Sequence, residues 1–362
     1  MSGSGAGAAP VVAVSQLRRD FTVRHAAGRL RRTATLVQAV AGISFQVQPG
    51  ECVEFIGANG AGKSTTIKMI TGILAPTSGT VRTCGLDPAR SRRELASRMG
   101  VVFGQRSQLW WDLPLRESFR LLGAMHRLSD RAWQASLDRC ADLLGLGPFL
   151  STPVRQLSLG QRMRGEVTAA LLHSPALLVL DEPTIGLDIV SKERLRTFLS
   201  EQRRDRGTTI LLTTHDLPDI ERLANRMLVI DAGRLAFAGT RRELAAAVGS
   251  RRVVTVQLAG PVRAGSSDDD RPPRLDGIAG TRVSRCNEDR LEQELTLEPD
   301  TSAAAVIAAV AARAELRDLT VAEPDITDIV RALYAAAAAG TARATEQSRR
   351  GAARPEAGPV GR

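Results

Sequence analysis

A run of eight residues, Gly57-Ala58-Asn59-Gly60-Ala61-Gly62-Lys63-Ser64, constrains this chain more than any other feature. It lies between an apolar stretch, Cys52 to Ile56, and a segment from Ser64 to about Thr71 that reads as a helix. The order strand, glycine loop, helix, with the spacing Gly-x-x-x-x-Gly-Lys-Ser, is that of a phosphate-binding loop. Gly57, Gly60 and Gly62 let the backbone curl so that amides of the loop, those of Asn59 and Ala61 among them, turn inward toward a β-phosphate. The following helix adds the positive end of its dipole. Lys63 is one of only three lysines in the chain, and its position sets a point charge between β- and γ-phosphates. Ser64 would supply a hydroxyl to Mg²⁺, with Thr65 beside it in the first turn.

A second run, Leu177-Leu178-Val179-Leu180-Asp181-Glu182, reads as a buried strand ending in two carboxylates, and ligands bind at that end of strands in parallel α/β sheets. Asp181 would hold the Mg²⁺ shell, and Glu182 would polarise the water that attacks a γ-phosphate. The two runs together define a P-loop NTPase.

The rest of the chain fits an α/β class with a parallel sheet and helices on both faces. Strands are expected over Val11–Val14, Ile43–Val47, Met99–Phe103, Thr209–Thr213 and Met227–Ile230, and helices over about Ser191–Arg206 and near Asp219–Asn225. The basic stretch Arg18–Arg32 places the arginines at 29, 31 and 32 in a loop. Helical spacing through Leu121, Leu122, Met125, Leu137, Cys140, Leu143 and Leu144 predicts a mainly helical insert over about 106–172. Residues 1–10 read as a flexible leader, 11–248 as the nucleotide-binding domain, 250–338 as a small α+β accessory domain, and 339–362 as a disordered tail. Within the accessory domain the pattern gives strands at Arg252–Leu258, Leu291–Leu297 and Leu319–Val321, and helices at Ser302–Ala314 and Ile326–Ala338.

Composition narrows the partners. Of 362 residues, 43% are apolar and 24% charged, which excludes a wholly disordered chain. The longest apolar runs fall well short of the ~20 residues a membrane-spanning helix needs, and the opening Gly, Ser and Ala residues carry no secretory pattern. A cytoplasmic location is therefore expected. Four cysteines, at 52, 84, 140 and 286, make no C-x-x-C pair and read as buried small hydrophobes. The net charge of +10 invites a nucleic-acid partner, but aromatics make up 3% and the excess is almost all arginine, so no nucleic-acid surface is expected.

Further short motifs stand in a fixed order, and with them the chain resembles the ATP-binding subunits of ABC transporters over roughly residues 11 to 248. Leu157-Ser158-Leu159-Gly160-Gln161 resembles the LSGGQ signature, Gln105 the Q-loop glutamine, Ile185-Gly186-Leu187-Asp188 the D-loop, and His215 the switch histidine. The runs GQRSQLWWDLP, LSLGQRMR and DEPTIGLD are similar to those of bacterial ATPases that serve separately encoded ABC-2-type permeases. The resemblance implies a head-to-tail homodimer with ATP held between the phosphate loop of one subunit and Ser158, Gly160 and Gln161 of the other, and with Asp188 at the interface. It also implies that Gln105 contacts Mg²⁺, that His215 contacts the γ-phosphate, and that the protein sits on the inner face of the plasma membrane. Where the family uses a tyrosine to stack on adenine, this chain offers Phe21, which ordinary core packing explains equally well. Leu159 stands where the family's signature most often has glycine. Trp110 and Trp111, just beyond Gln105, would either dock the permease or fill the core of the helical insert. A soluble ABC-type ATPase acting on nucleic acid or ribosomes is the rival reading, although the chain has neither a second cassette nor a long coiled coil.

Overall fold

The computed structural model describes residues 8–26, 32–104, 107–213, 224, 226–249, 251–259, 274–288, 290–298, 301–322, 326, 329–331 and 333. The chain divides into two compact units, Met1–Thr240 and Arg241–Arg362.

The first unit is built on strands that carry no polar face. Strands β3 (Cys52–Ile56), β6 (Leu177–Asp181) and β7 (Thr209–Thr213) are buried along nearly their whole length. Such strands need cover on both sides, and successive side chains point to opposite faces. Leu178 and Leu180 therefore join one core with Leu115, Phe119 and Leu137, while Leu177 and Val179 join another with Phe55, Ile67 and Ile70. The six-stranded sheet has the order β5-β6-β7-β3-β8-β9, with β5 (Met99–Phe103) and β8 (Arg226–Asp231) parallel to the rest. Only β9 (Arg234–Gly239) runs antiparallel, closing one edge against β8. The expected parallel sheet thus carries one reversed edge strand, because the short Ala232-Gly233 turn permits a hairpin where a crossover would need a dozen residues or more.

A three-stranded antiparallel sheet, β2-β1-β4, accompanies it. Here the structure departs from the sequence expectation: β1 spans Val12–Ala26, straight through the basic stretch, and β2 spans Arg32–Val47. Cross-strand pairs such as Phe21 with Val37 and Arg19 with Val40 hold it, and local polarity does not report such pairing. Arg32 accordingly lies in a strand, and Arg29 and Arg31 lie outside the described residues. Strand β4 (Ser78–Thr83) completes this sheet.

Helix α1 (Lys63–Ile70) follows β3, and the short α2 (Arg92–Ala96) precedes β5. The helical insert comprises α3 (Leu115–Met125), α4 (Asp130–Leu144) and α5 (Leu159–Leu171). Leu137 and Leu144 face its core as expected, whereas Leu121, Met125 and Leu143 are exposed. Helix α6 (Ile189–Arg206) carries Arg203, Arg204 and Arg206 in its last turn, where the helix dipole favours cations. Cys52 and Cys140 are buried, but Cys84 and Cys286 are only half-buried.

In the second unit, α7 (Arg241–Ala247) precedes an antiparallel sheet of order β11-β12-β10-β13, formed by β10 (Val253–Leu258), β11 (Thr281–Cys286), β12 (Glu292–Leu297) and β13 (Leu316–Ala322). Alternate residues Val254, Val256, Leu295 and Leu297 meet Val306 and Val310 of α8 (Ala303–Ala311), which Ser302 caps. Most of the helices expected near Asp219–Asn225 and Ile326–Ala338 falls outside the described residues. Among the described residues no helix is long and apolar enough to cross a membrane.

One packing detail is a pH-dependent liability. His126, at the end of α3, and His173, just past α5, stack with ring centroids 3.9 Å apart and 6° between planes, and His173 Nε2–H donates to the Met99 carbonyl at 3.2 Å. Burial, with the neighbouring His126 adding to it, lowers the His173 pKa from 6.5 to about 4. The unfolded chain therefore takes up this proton at higher pH than the folded one, so the stability is complete above pH 6.5 and declines as the pH drops toward 4. Melting curves should show Tm falling by several degrees over that window, and His173→Gln should flatten the dependence.

Candidate nucleotide site

The strand ends set the geometry of the site. β3, β6 and β7 are in parallel register, with Glu54 opposite Leu212 and Asp181 opposite Thr213, so the loops that leave them emerge at one edge of the sheet. The loop after β3 curls at Gly62, whose φ of +109° suits glycine, and a Cβ there would lie 2.6 Å from the Ala39 carbonyl oxygen. The first-turn amides of α1 have no intrahelical acceptors, and Gly62 offers no side chain to cap them. Residues Ala58 to Thr65 together with Glu182 line a cleft of about 130 Å³ over this turn.

Lys63 is 5% exposed, and its Nζ donates to the carbonyls of Gly57 and, at 3.1 Å, Ala58. Burial lowers its pKa, while the charges of Glu182 and Asp181 pull it back up, so the ammonium sits within the field of both carboxylates. Asp181 Oδ1 accepts from Thr213 Oγ1 at 2.6 Å. The Glu182 amide donates to the same hydroxyl oxygen at 3.0 Å and to the Thr213 carbonyl at 3.2 Å. Glu182 has φ +57°, an uncommon conformation for a side chain larger than asparagine; such strain concentrates at functional sites. Thr213 thus fixes both acidic residues, and it was not among the residues singled out from sequence. Its signal was positional: it ends β7 as Asp181 ends β6.

A larger cleft of about 490 Å³ shares Ser64 and Glu182 with the phosphate cleft and is lined also by Asp181, Leu159, Met163 and Ile185. A hydroxyl and a carboxylate are hard oxygen donors suited to Mg²⁺, which takes one or two protein oxygens and completes its shell from phosphates and water. The residues present therefore fit a Mg²⁺–triphosphate.

Ser158 caps α5 through a capping box: its Oγ accepts from the Gln161 amide at 3.2 Å, and Gln161 Oε1 accepts from the Ser158 amide at 2.9 Å. Neither residue lines the phosphate cleft, nor does Gly160, which backs onto the Ser191 hydroxyl and Leu187. Leu159 lies over Gly186, where a Cβ would stand 2.2 Å from its Cδ2. Asp188 caps α6, accepting from the Ser191 amide at 2.9 Å and hydroxyl at 2.7 Å, and those bonds hold its pKa below the usual carboxylate value. Phe21 is half-buried on β1 with the Arg19 guanidinium 4.7 Å above its ring, apart from both clefts. Trp110 and Trp111 are 38% and 52% exposed and do not fill the core of the helical insert. Gln105 and His215 lie outside the described residues.

Sheet, loop and paired carboxylates define a P-loop ATPase. Comparison with known proteins narrows the class. Residues 40–185 match the ABC transporter family. The Nod factor export ATP-binding protein I of Paraburkholderia xenovorans is 39% identical over 211 residues, 57% of this chain and 67% of that protein. The ABC transporter ATP-binding protein NatA of Bacillus subtilis is 29% identical over 224 residues, covering 62% of this chain and 91% of that protein. A solved structure of an ATP-binding subunit of an ABC transporter superposes with a TM-score of 0.57 at 28% identity, covering 66% of this chain and 94% of that one. The chain belongs to the ABC transporter family: it is an ATP-binding subunit that hydrolyses ATP to power a permease carried on a separate chain.

Because the Thr213 hydroxyl donates to the Asp181 carboxylate and accepts from the Glu182 amide, Thr213→Val should lower kcat for ATP about tenfold, the worth of one hydrogen bond to a charged group. Steady-state hydrolysis beside a melting curve checks this, and an undiminished kcat removes Thr213 from the site.

Proposed function

We propose that this chain drives an ABC-2-type exporter from the inner face of the plasma membrane, with Glu182 as the general base of ATP hydrolysis. The observation that carries the chemistry is the meeting of Glu182, Lys63 and the phosphate loop in one cleft. Lys63 and the amides of residues 59–65 bind and orient the β- and γ-phosphates. Glu182 takes the proton of the attacking water, and the Thr213 contacts hold it there. Ser64 and Asp181 would hold Mg²⁺, with Gln105 from the Q-loop, and the ion would neutralise the charge that builds on the phosphates. His215 is assigned to the γ-phosphate, and Phe21 to the adenine face. The export direction draws support from the Nod factor export relative, and the apolar, exposed Trp110–Trp111 pair suits a permease contact.

The sandwich of two ATP molecules in a head-to-tail homodimer belongs to the same reading. It is supported by Ser158, Gly160 and Gln161 standing apart from the phosphate cleft of their own chain, while the N-terminus of α5 offers amides suited to a phosphate. The Ser158 hydroxyl accepts within its capping box and so keeps a proton to donate. Asp188 stands next to an exposed apolar set, Ile185, Ile189 and Val190.

Glu182→Gln should retain ATP binding and slow turnover by about 10²- to 10⁴-fold, the usual general-base contribution. Turnover close to the parent's, with binding confirmed by titration, would remove Glu182 from that role. For the dimer, a Lys63→Ala chain mixed with a Ser158→Arg chain should regain hydrolysis, since one composite site per heterodimer is intact. Each variant alone should be inactive, and a fully active Ser158→Arg homodimer contradicts the sandwich.

A further inference from the structure

Glu166 is a buried carboxylate that the hydrolytic site does not use. It lies on α5, eight residues beyond Ser158, and is 5% exposed. Oε1 accepts from the Ser107 hydroxyl, and Oε2 accepts from the Gln108 amide at 3.2 Å. The Gln108 side chain returns a bond, its Nε2 donating to the Glu166 carbonyl at 3.1 Å. Burial raises the Glu166 pKa, and the bonds from Ser107 and Gln108 oppose that rise. An apolar residue here would avoid the cost of burying a carboxylate, but it could not fasten residues 107 and 108 to the helix.

The fastening joins two parts of the site. At its near end, Gly104 is tied to the acidic strand end, its amide donating to the Asp181 carbonyl at 3.0 Å. In sequence, Gln105 stands between that tie and the Glu166 clasp. Beyond the clasp, the Arg162 guanidinium of the same helix lies 5.7 Å from the Trp111 ring centre, and the Trp110 amide donates to Ser118 Oγ at 3.2 Å. Ser107, Trp111, Arg162 and Glu166 line one cleft of about 230 Å³, with Leu159 and Met163 common to it and to the cleft beside Asp181. A shift of α5 must therefore carry residues 107–111 with it.

We propose that Glu166 is a positioning residue that clasps residues 107 and 108 to the signature helix, so that the signature end of α5 and the Trp110–Trp111 surface move as one body. The clasp needs two acceptor oxygens for two donors. Gln at 166 keeps the shape but turns one acceptor into an N–H that faces a donor. Ser107→Ala removes one donor to the carboxylate at an exposed position, together with the local bond from the Leu109 amide.

The inference rests on the hydrolytic site proposed above, and the experiment separates the two. Full-length parent, Glu166→Gln, Ser107→Ala and the double variant are compared for melting temperature, kcat and KM for ATP. Glu166→Gln should lower kcat about tenfold, the size of one charge-assisted hydrogen bond, with KM near the parent's. Ser107→Ala should fall in the same direction by less, and the double variant should be no worse than Glu166→Gln, because both changes open one clasp. A kcat for Glu166→Gln equal to the parent's, or losses that multiply in the double variant, overturn the clasp while leaving the hydrolytic site standing. Where Glu166→Gln melts far below the parent, Ser107→Ala decides alone, and its unchanged kcat overturns the proposal. A parent that binds but does not hydrolyse ATP overturns the reading of the site, and the clasp with it.

Discussion

Three neighbouring parallel strands, buried on both faces, are the constraint on which the rest of the first unit depends. Because β3, β6 and β7 present apolar side chains up and down, helices must cover each face. Parallel pairing also forbids short returns among them, so these three strands leave the sheet at the same edge. Register brings the phosphate loop, the Asp181–Glu182 pair and Thr213 to that edge, and the Thr213 hydroxyl then joins Asp181 to the Glu182 amide. The buried strands fix the cleft before any ligand enters it, which is what electrostatic preorganisation requires.

Charge at that edge is balanced. Lys63 loses water on burial, and the two carboxylates restore part of the preference for its charged form. Its present acceptors are the carbonyls of Gly57 and Ala58. Phosphate oxygens are stronger acceptors than peptide carbonyls because they carry charge, so exchanging one for the other favours an anion in the loop. The same low-dielectric setting strengthens the pull of Thr213 on Asp181.

The signature region shows how one substitution changes local mechanics. Where glycine is usual, Leu159 puts a branched side chain over Gly186, and Gly186 leaves the room for it. Gly160 meanwhile backs onto the Ser191 hydroxyl, which bonds to Asp188. The start of α5 and the cap of α6 are therefore interlocked within one chain. Glu166 extends the same helix's grip to residues 107 and 108, so α5 touches both flanks of the nucleotide edge.

The sequence alone determined the phosphate loop, the acidic strand end, the alternation of buried strands with helices, and the helical insert, because each is written in spacing along the chain. The clefts bring Ala58 to Thr65 together with Glu182, and Ser64 with Asp181, all residues legible in their motifs. Thr213 and Glu166 were not legible. Neither lies in a motif, and each matters only through partners far away in the chain: Asp181 lies 32 residues before Thr213, and Ser107 lies 59 before Glu166. The long β1–β2 hairpin escaped for a related reason. Its arginines look like a loop until cross-strand pairs such as Phe21 with Val37 are formed, and pairing energy belongs to two strands at once. Local chemistry was set by the sequence, and which distant groups share a proton was set only by the tertiary structure, because a hydrogen bond is decided by distance in space and not along the chain.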